Sequence, residues 1–203
     1  MAIVKIKGID VSHWQGNIDW KKVKADGIKF VFVKATEGTT FVDGKFYENV
    51  AGANAAGLKV GAYHYAKFGS SKEAKAEAGH FLKAVSQVKL TYPLVLDLEE
   101  NRKGASKATM TNAAIAFLEE IENAGYFAML YTGKNFLETH LLENKLTPYA
   151  LWIARYHHEL GRSADVWQYS SEGKVDGIRG FVDLNWSYRD FAAEISRMQQ
   201  RKQ

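Results

Sequence analysis

Apolar residues fall along this chain in short runs of strand length, separated by stretches with helical spacing. Ile6–Ser12 is the first run. Ile28–Lys34 (IKFVFVK) is rich in β-branched and aromatic residues, as strands are. Leu58–Ala66 and Pro93–Glu99 (PLVLDLE) follow, then Phe127–Thr132, Tyr149–Arg155, Asp165–Tyr169 and Phe181–Leu184. Eight strands are therefore expected. Pro93 and Pro148 each precede an apolar run, where a missing N–H costs little of the ladder.

Between the strands lie five helical segments. Ile18–Asp26 is short, and Lys45–Ala56 stops before Gly57, a helix C-terminal signal. Ser71–Gln87 places Ala74, Ala78, Phe81, Leu82 and Val85 on one helical face. Ser106–Asn123 carries Ile115, Leu118 and Ile121 and ends before Gly125. Asn135–Asn144 is the fifth. After the sixth strand the connections HHELGRS and SSEGKVDGIRG read as loops, and the chain closes on a polar helical tail. Strands that alternate with helices imply a parallel sheet. The expected fold class is α/β: five β–α units, then three strands, in an irregular TIM-like barrel, (β/α)5(β)3. The pattern alone also admits an open doubly wound sheet. One domain is expected, with residues 1–190 as the barrel and 191–203 as a polar C-terminal helix or linker remnant.

Composition narrows the chemistry. A domain of 203 residues can bury roughly 70% of its unfolded surface. There is no cysteine, so disulfides, thiolate metal sites and thiol nucleophiles are excluded. The net charge is +4 and is spread along the chain, with no basic tail for nucleic acid. The longest wholly apolar runs, such as Tyr126–Tyr131, are six residues, far below the roughly 20 residues of a membrane span. The N-terminus lacks the apolar core of a secretory signal. No phosphate-binding, dinucleotide or serine-elbow motif occurs, and His157-His158-Glu159 has no second histidine at zinc spacing. No metal or cofactor is expected. Asn185-Trp186-Ser187 matches a glycosylation triplet and is read as chance.

In parallel β/α folds the C-terminal strand ends carry the site. Asp10 ends the first strand, Asp97 and Glu99 end the fourth, and Asp183 lies near the end of the eighth. In a closed barrel the first and eighth strands are neighbours, which brings Asp10 and Asp183 together. Along Leu94-Val95-Leu96-Asp97-Leu98-Glu99 side chains alternate. The leucines face the helices, and Val95, Asp97 and Glu99 face the barrel mouth. Two carboxyls on one face, about 6–7 Å apart at Cα, repel, and one pKa rises. One becomes a proton donor and the other stays an anion, the division that glycoside hydrolysis uses. Trp14, Tyr63, Tyr65, Tyr131, Trp152, Trp167, Tyr169 and Trp186 fall near strand ends, where flat rings suit the apolar faces of sugars.

Gly8-Ile-Asp-Val-Ser-His-Trp-Gln-Gly16 with Ile18-Asp-Trp20 resembles the opening of glycoside hydrolase family 25, the Chalaropsis-type lysozymes. Phe32-Val-Lys-Ala-Thr-Glu-Gly38, Gly61-Ala-Tyr-His-Tyr65, Leu96-Asp-Leu-Glu99, Trp167-Gln-Tyr169 and Val182-Asp183 are similar to its later motifs, in the family's order. The resemblance implies a muramidase that cuts the β-1,4 bond from N-acetylmuramic acid to N-acetylglucosamine. It implies Glu99 as general acid, Asp97 as the second acid, and Asp10 and Asp183 completing the acidic cluster. Asp183, Tyr63, Tyr65, Tyr131, Trp152 and Gln168 are expected to bind substrate. Asp97 would act as nucleophile or hold the substrate's 2-acetamido group. The expected partner is cell-wall peptidoglycan, met by a monomer without nucleic acid or membrane insertion. Many family members are bacteriophage endolysins, made in the host cytoplasm without a signal peptide, and such a catalytic domain is expected here. A non-catalytic carbohydrate-binding barrel and a chitinase-like glycosidase are the alternatives.

Overall fold

A computed structural model describes residues 5–200. Nine strands form: β1 Ile6–Val11, β2 Phe30–Glu37, β3 Phe41–Val42, β4 Lys59–Tyr65, β5 Leu94–Asp97, β6 Ala128–Gly133, β7 Ala150–Ala154, β8 Val166–Gly173 and β9 Val182–Ser187. Eight of them close in the order β1-β2-β4-β5-β6-β7-β8-β9, with β9 pairing back onto β1. The barrel, rather than the open sheet, is the fold. Short β3 folds back antiparallel on β2 and lies where β1 has already ended. The six helices are α1 Trp20–Ala25, α2 Phe46–Ala55, α3 Ser71–Val85, α4 Lys107–Asn123, α5 Lys134–His140 and α6 Phe191–Gln200. The predicted fifth helix splits into α5 and a 3-10 turn at Glu143–Lys145. Among the described residues no helix is long and apolar enough to cross a membrane.

The helices begin and stop where local chemistry dictates. Ser70 Oγ accepts from the Glu73 amide, and the Glu73 carboxylate accepts from the Gly69 amide at 2.7 Å, so α3 is capped from both sides. Ser106 caps α4 in the same way. Gly57 and Gly125 follow α2 and α4 at φ 75° and 90°, a conformation that costs glycine little.

Strand alternation sorts the core into two layers. Val31, Val33, Leu94, Leu96 and Leu98 face outward and pack with Phe81 and Phe117 under the helices. Phe30, Phe32, Val95, Met129 and Trp152 face inward and fill the barrel. Gly8 and Gly61 take inward positions on β1 and β4, where a Cβ on Gly8 would strike the Phe30 ring and one on Gly61 the Pro93 carbonyl oxygen and the Phe32 ring. Phe191 of α6 packs on Tyr92 and Phe127, at 5.6 and 5.3 Å between ring centroids, and closes the barrel base.

β9 departs from the parallel sheet that the alternating pattern implies. β9 runs antiparallel to both neighbours, so the sheet is not wholly parallel. The β8–β9 connection carries no helix and is shorter than the dozen or so residues a parallel crossover needs. The chain returns as a hairpin. Trp167, Tyr169 and Trp186 also differ from expectation. They occupy the outward face of β8 and β9, opposite to Gln168 and Asn185, with Tyr169 stacked on Trp186 at 5.6 Å.

Candidate active site

The C-terminal ends of the parallel strands surround a pocket of about 280 Å³. Its lining includes the nine residues expected to act in catalysis or substrate binding, Asp10, Tyr63, Tyr65, Asp97, Glu99, Tyr131, Trp152, Gln168 and Asp183, together with Trp14; Trp167, Tyr169 and Trp186 lie outside it. Asp183 arrives by an unforeseen route. It starts β9 rather than ending it, and the reversed direction of β9 brings that start to the same mouth, paired with Asp10 across the ladder. Rings pack at the pocket floor, with Trp152 tilted against Tyr131 at 4.4 Å and stacked on Phe32 below it at 4.6 Å.

Asp10 is buried and held by two amides. Gln168 Nε2 and Asn185 Nδ2 donate to its Oδ2 at 2.9 and 2.7 Å. Each amide is itself oriented from behind. Tyr131 and Tyr156 hydroxyls donate to Gln168 Oε1 at 2.8 and 2.9 Å. Trp152 Nε1, a donor only, gives its hydrogen to Asn185 Oδ1 at 2.8 Å. Gln168, expected to touch substrate, thus spends its polar atoms on Asp10 and the two tyrosines and stands as a strut behind the carboxyl. Burial and then the Asp183 charge raise the Asp10 pKa well above the usual carboxylate range. Asp183 stands opposite Asp10 across the ladder, and burial raises its pKa as well.

Asp97 is built differently. It is buried, and its Oδ1 has no hydrogen-bond partner. Burial, then the Glu99 and Asp10 charges, push its pKa well up. Glu99 stands beyond the end of β5 with its side chain open to the groove. Burial of its carboxyl, then the Glu100 and Asp183 charges, raise its pKa too. Two repelling carboxyls titrate as a unit, and this pair retains a proton after ordinary carboxylates have lost theirs. Ladder-like bonds hold the strand end: Ala66 N donates to Asp97 O at 2.9 Å and Leu98 N to Tyr131 O at 3.0 Å. Burial and the surrounding acids also raise Tyr63, Tyr65, Tyr131 and Tyr156, so each stays a hydroxyl donor.

Sequence reasoning missed Asn185, Lys34, Ser12 and Tyr156 as parts of this mouth. Asn185 is fully buried on Asp10, which closes it to glycosylation. A signal existed: Asn185 lies two residues after Asp183, and the strand period puts both on one face. Lys34 lies two residues after inward Phe32 on β2, by the same rule, and Glu37 holds its Nζ at 2.7 Å. Among the described residues no cluster of His, Asp and Glu could hold a metal ion.

Residues 9–178 match the profile of a family described as glycosyl hydrolases family 25. The chain is 38% identical over 194 residues to the uncharacterized protein YegX of Escherichia coli K12, spanning 91% of this chain and 70% of that one. It is 34% identical over 183 residues to an autolytic lysozyme of Clostridium acetobutylicum, spanning 89% of this chain and 55% of that one. Its structure superposes on a bacterial lysozyme from Streptomyces coelicolor with a TM-score of 0.83, at 29% identity and across the whole of both chains.

Proposed function

The chain belongs to glycosyl hydrolases family 25, and we propose that Glu99 is its general acid and Asp97 the group that stabilises the developing sugar cation. The protein is a glycoside hydrolase of the lysozyme type, acting on cell-wall peptidoglycan. The bond cut is the β-1,4 link from N-acetylmuramic acid to N-acetylglucosamine.

The observation that carries the reading is the end of β5. One carboxyl is buried with an oxygen left unpartnered beneath the pocket, and a second is raised and open to the groove two residues later. Glu99 gives its proton to the glycosidic oxygen as the C–O bond breaks. Positive charge grows at the anomeric carbon, and Asp97 faces it as the anion. Asp97 Oδ1 is free to attack that carbon or to accept the N–H of the 2-acetamido group, whose carbonyl oxygen then attacks. Asp10 and Asp183 form the opposite wall of the pocket. A purely binding barrel would gain nothing from carboxyls held together against their repulsion.

Glu99→Gln removes the proton while keeping the shape. Turnover on purified peptidoglycan should fall by about 100-fold or more, with the melting temperature changed by only a few degrees. A variant that stays folded and keeps near-wild-type turnover would overturn the assignment.

A further inference from the structure

The central pocket, at about 280 Å³, is smaller than the roughly 300–1,000 Å³ of sites that enclose a whole drug-sized ligand. A polymer reaching it must lie partly on the surrounding surface. Trp14 lines the pocket edge and is 82% exposed, whereas Trp20 and Trp152 are 7% and 2% exposed. Large aromatic side chains are seldom left so open.

Its backbone is nevertheless fixed. Ser12 Oγ accepts from the Trp14 amide at 3.3 Å, and Ser12 N donates to Gln15 Oε1 at 2.8 Å. Next door, His13 gives both its amide and its ring to the buried Asp43 carboxylate, at 3.1 and 2.6 Å. The His13 ring lies between Trp14 at 4.8 Å and Phe41 at 6.2 Å. Phe41 is 40% exposed on the β2–β3 hairpin, and its carbonyl accepts from His80 Nε2 of α3 at 3.0 Å. Open rings on an anchored backbone lose little freedom when a ligand covers them.

We propose that Trp14, with His13 and Phe41 beside it, forms a stacking platform for a pyranose ring of the glycan strand outside the central pocket. The platform gives the enzyme its preference for long strands over short ones. The inference rests on the reading of the pocket as a glycan-cleaving site. The apolar face of an N-acetylhexosamine packs on the indole, and its hydroxyls stay in water. Continuity with the pocket selects this occupant, because a strand threaded past Glu99 continues over the rim.

The test compares soluble peptidoglycan glycans of four and eight sugars. For wild type, Trp14→Ala and Trp14→Phe, kcat/KM is measured on each. The ratio of long to short should fall about ten-fold in Trp14→Ala, and Trp14→Phe should restore most of it. Binding of the same glycans to Glu99→Gln, with and without Trp14→Ala, should show the same length dependence by calorimetry. An unchanged ratio, or equal losses on both lengths, would overturn the platform. If wild type cleaves neither glycan, the hydrolase reading fails instead, and the calorimetric ratio still decides the platform.

Discussion

Lys34 is the one cation among the residues that line the mouth, and its side chain is 12% exposed. Glu37 fixes it at 2.7 Å, and the Tyr65 ring lies 5.1 Å below it. Its charge lowers the pKa of both Asp97 and Glu99, against the larger upward effect of burial. Lys34→Met removes that lowering. Both carboxyls then hold protons to higher pH, and the alkaline limb of the kcat/KM profile should move up by about half a unit or more. A limb that stays in place or moves down would contradict this role. Asp97 makes a second prediction. Its folded pKa is raised, so between the unfolded and folded values the native state binds more protons, and stability falls as pH rises through that window. Asp97→Asn escapes the penalty. It should raise the melting temperature at pH 7 by about 2–4 °C for each kcal/mol gained, and the gain should vanish near pH 3, where both states are protonated. A gain that persists unchanged at low pH would refute the cause. At this scale the acids were legible because a strand's period of two assigns each residue a face. Asn185 was hidden by its triplet, since a surface motif and a buried strand position read alike in one dimension.

Elements were located more reliably than their directions. Runs of apolar residues mark a strand whichever way it travels, so the pattern placed β9 without revealing that it returns antiparallel. The connection between β8 and β9 held the clue, since it carries no helical period. The helices were legible through Ser70, Ser106, Gly57 and Gly125, whose effects are local. Packing between strands was not, and Gly8 shows why. Only the register Gly8↔Phe30 explains the missing side chain, because a Cβ would meet the Phe30 ring and no other atom so closely. Gly8→Ala should therefore destabilise the fold by about 1–3 kcal/mol. Phe30→Leu in the same chain should return part of that loss, measured by urea unfolding as a coupling between the two sites. Strict additivity would show that the ring is not the obstacle.

The described residues form a barrel whose mouth gathers four acids from three strands remote in sequence, two of them neighbours and the third on the opposite wall. Closure of β9 onto β1 brings Asp183 to Asp10, and β5 presents Asp97 and Glu99 across the pocket. The five leading β–α units are helix-covered, and α6 seals the base through Phe191 and Ile195. Such closure is a long-range property, and the resemblance of short motifs to a known family made it legible where periodicity left two architectures open. Cleavage at this mouth is expected to leave N-acetylmuramic acid at each new reducing end, which is read by digesting purified Gram-positive peptidoglycan, reducing the products with borohydride and identifying the new terminus. Reduced muramic acid is predicted. Reduced glucosamine as the new terminus, or no new reducing end with folded protein, would contradict it.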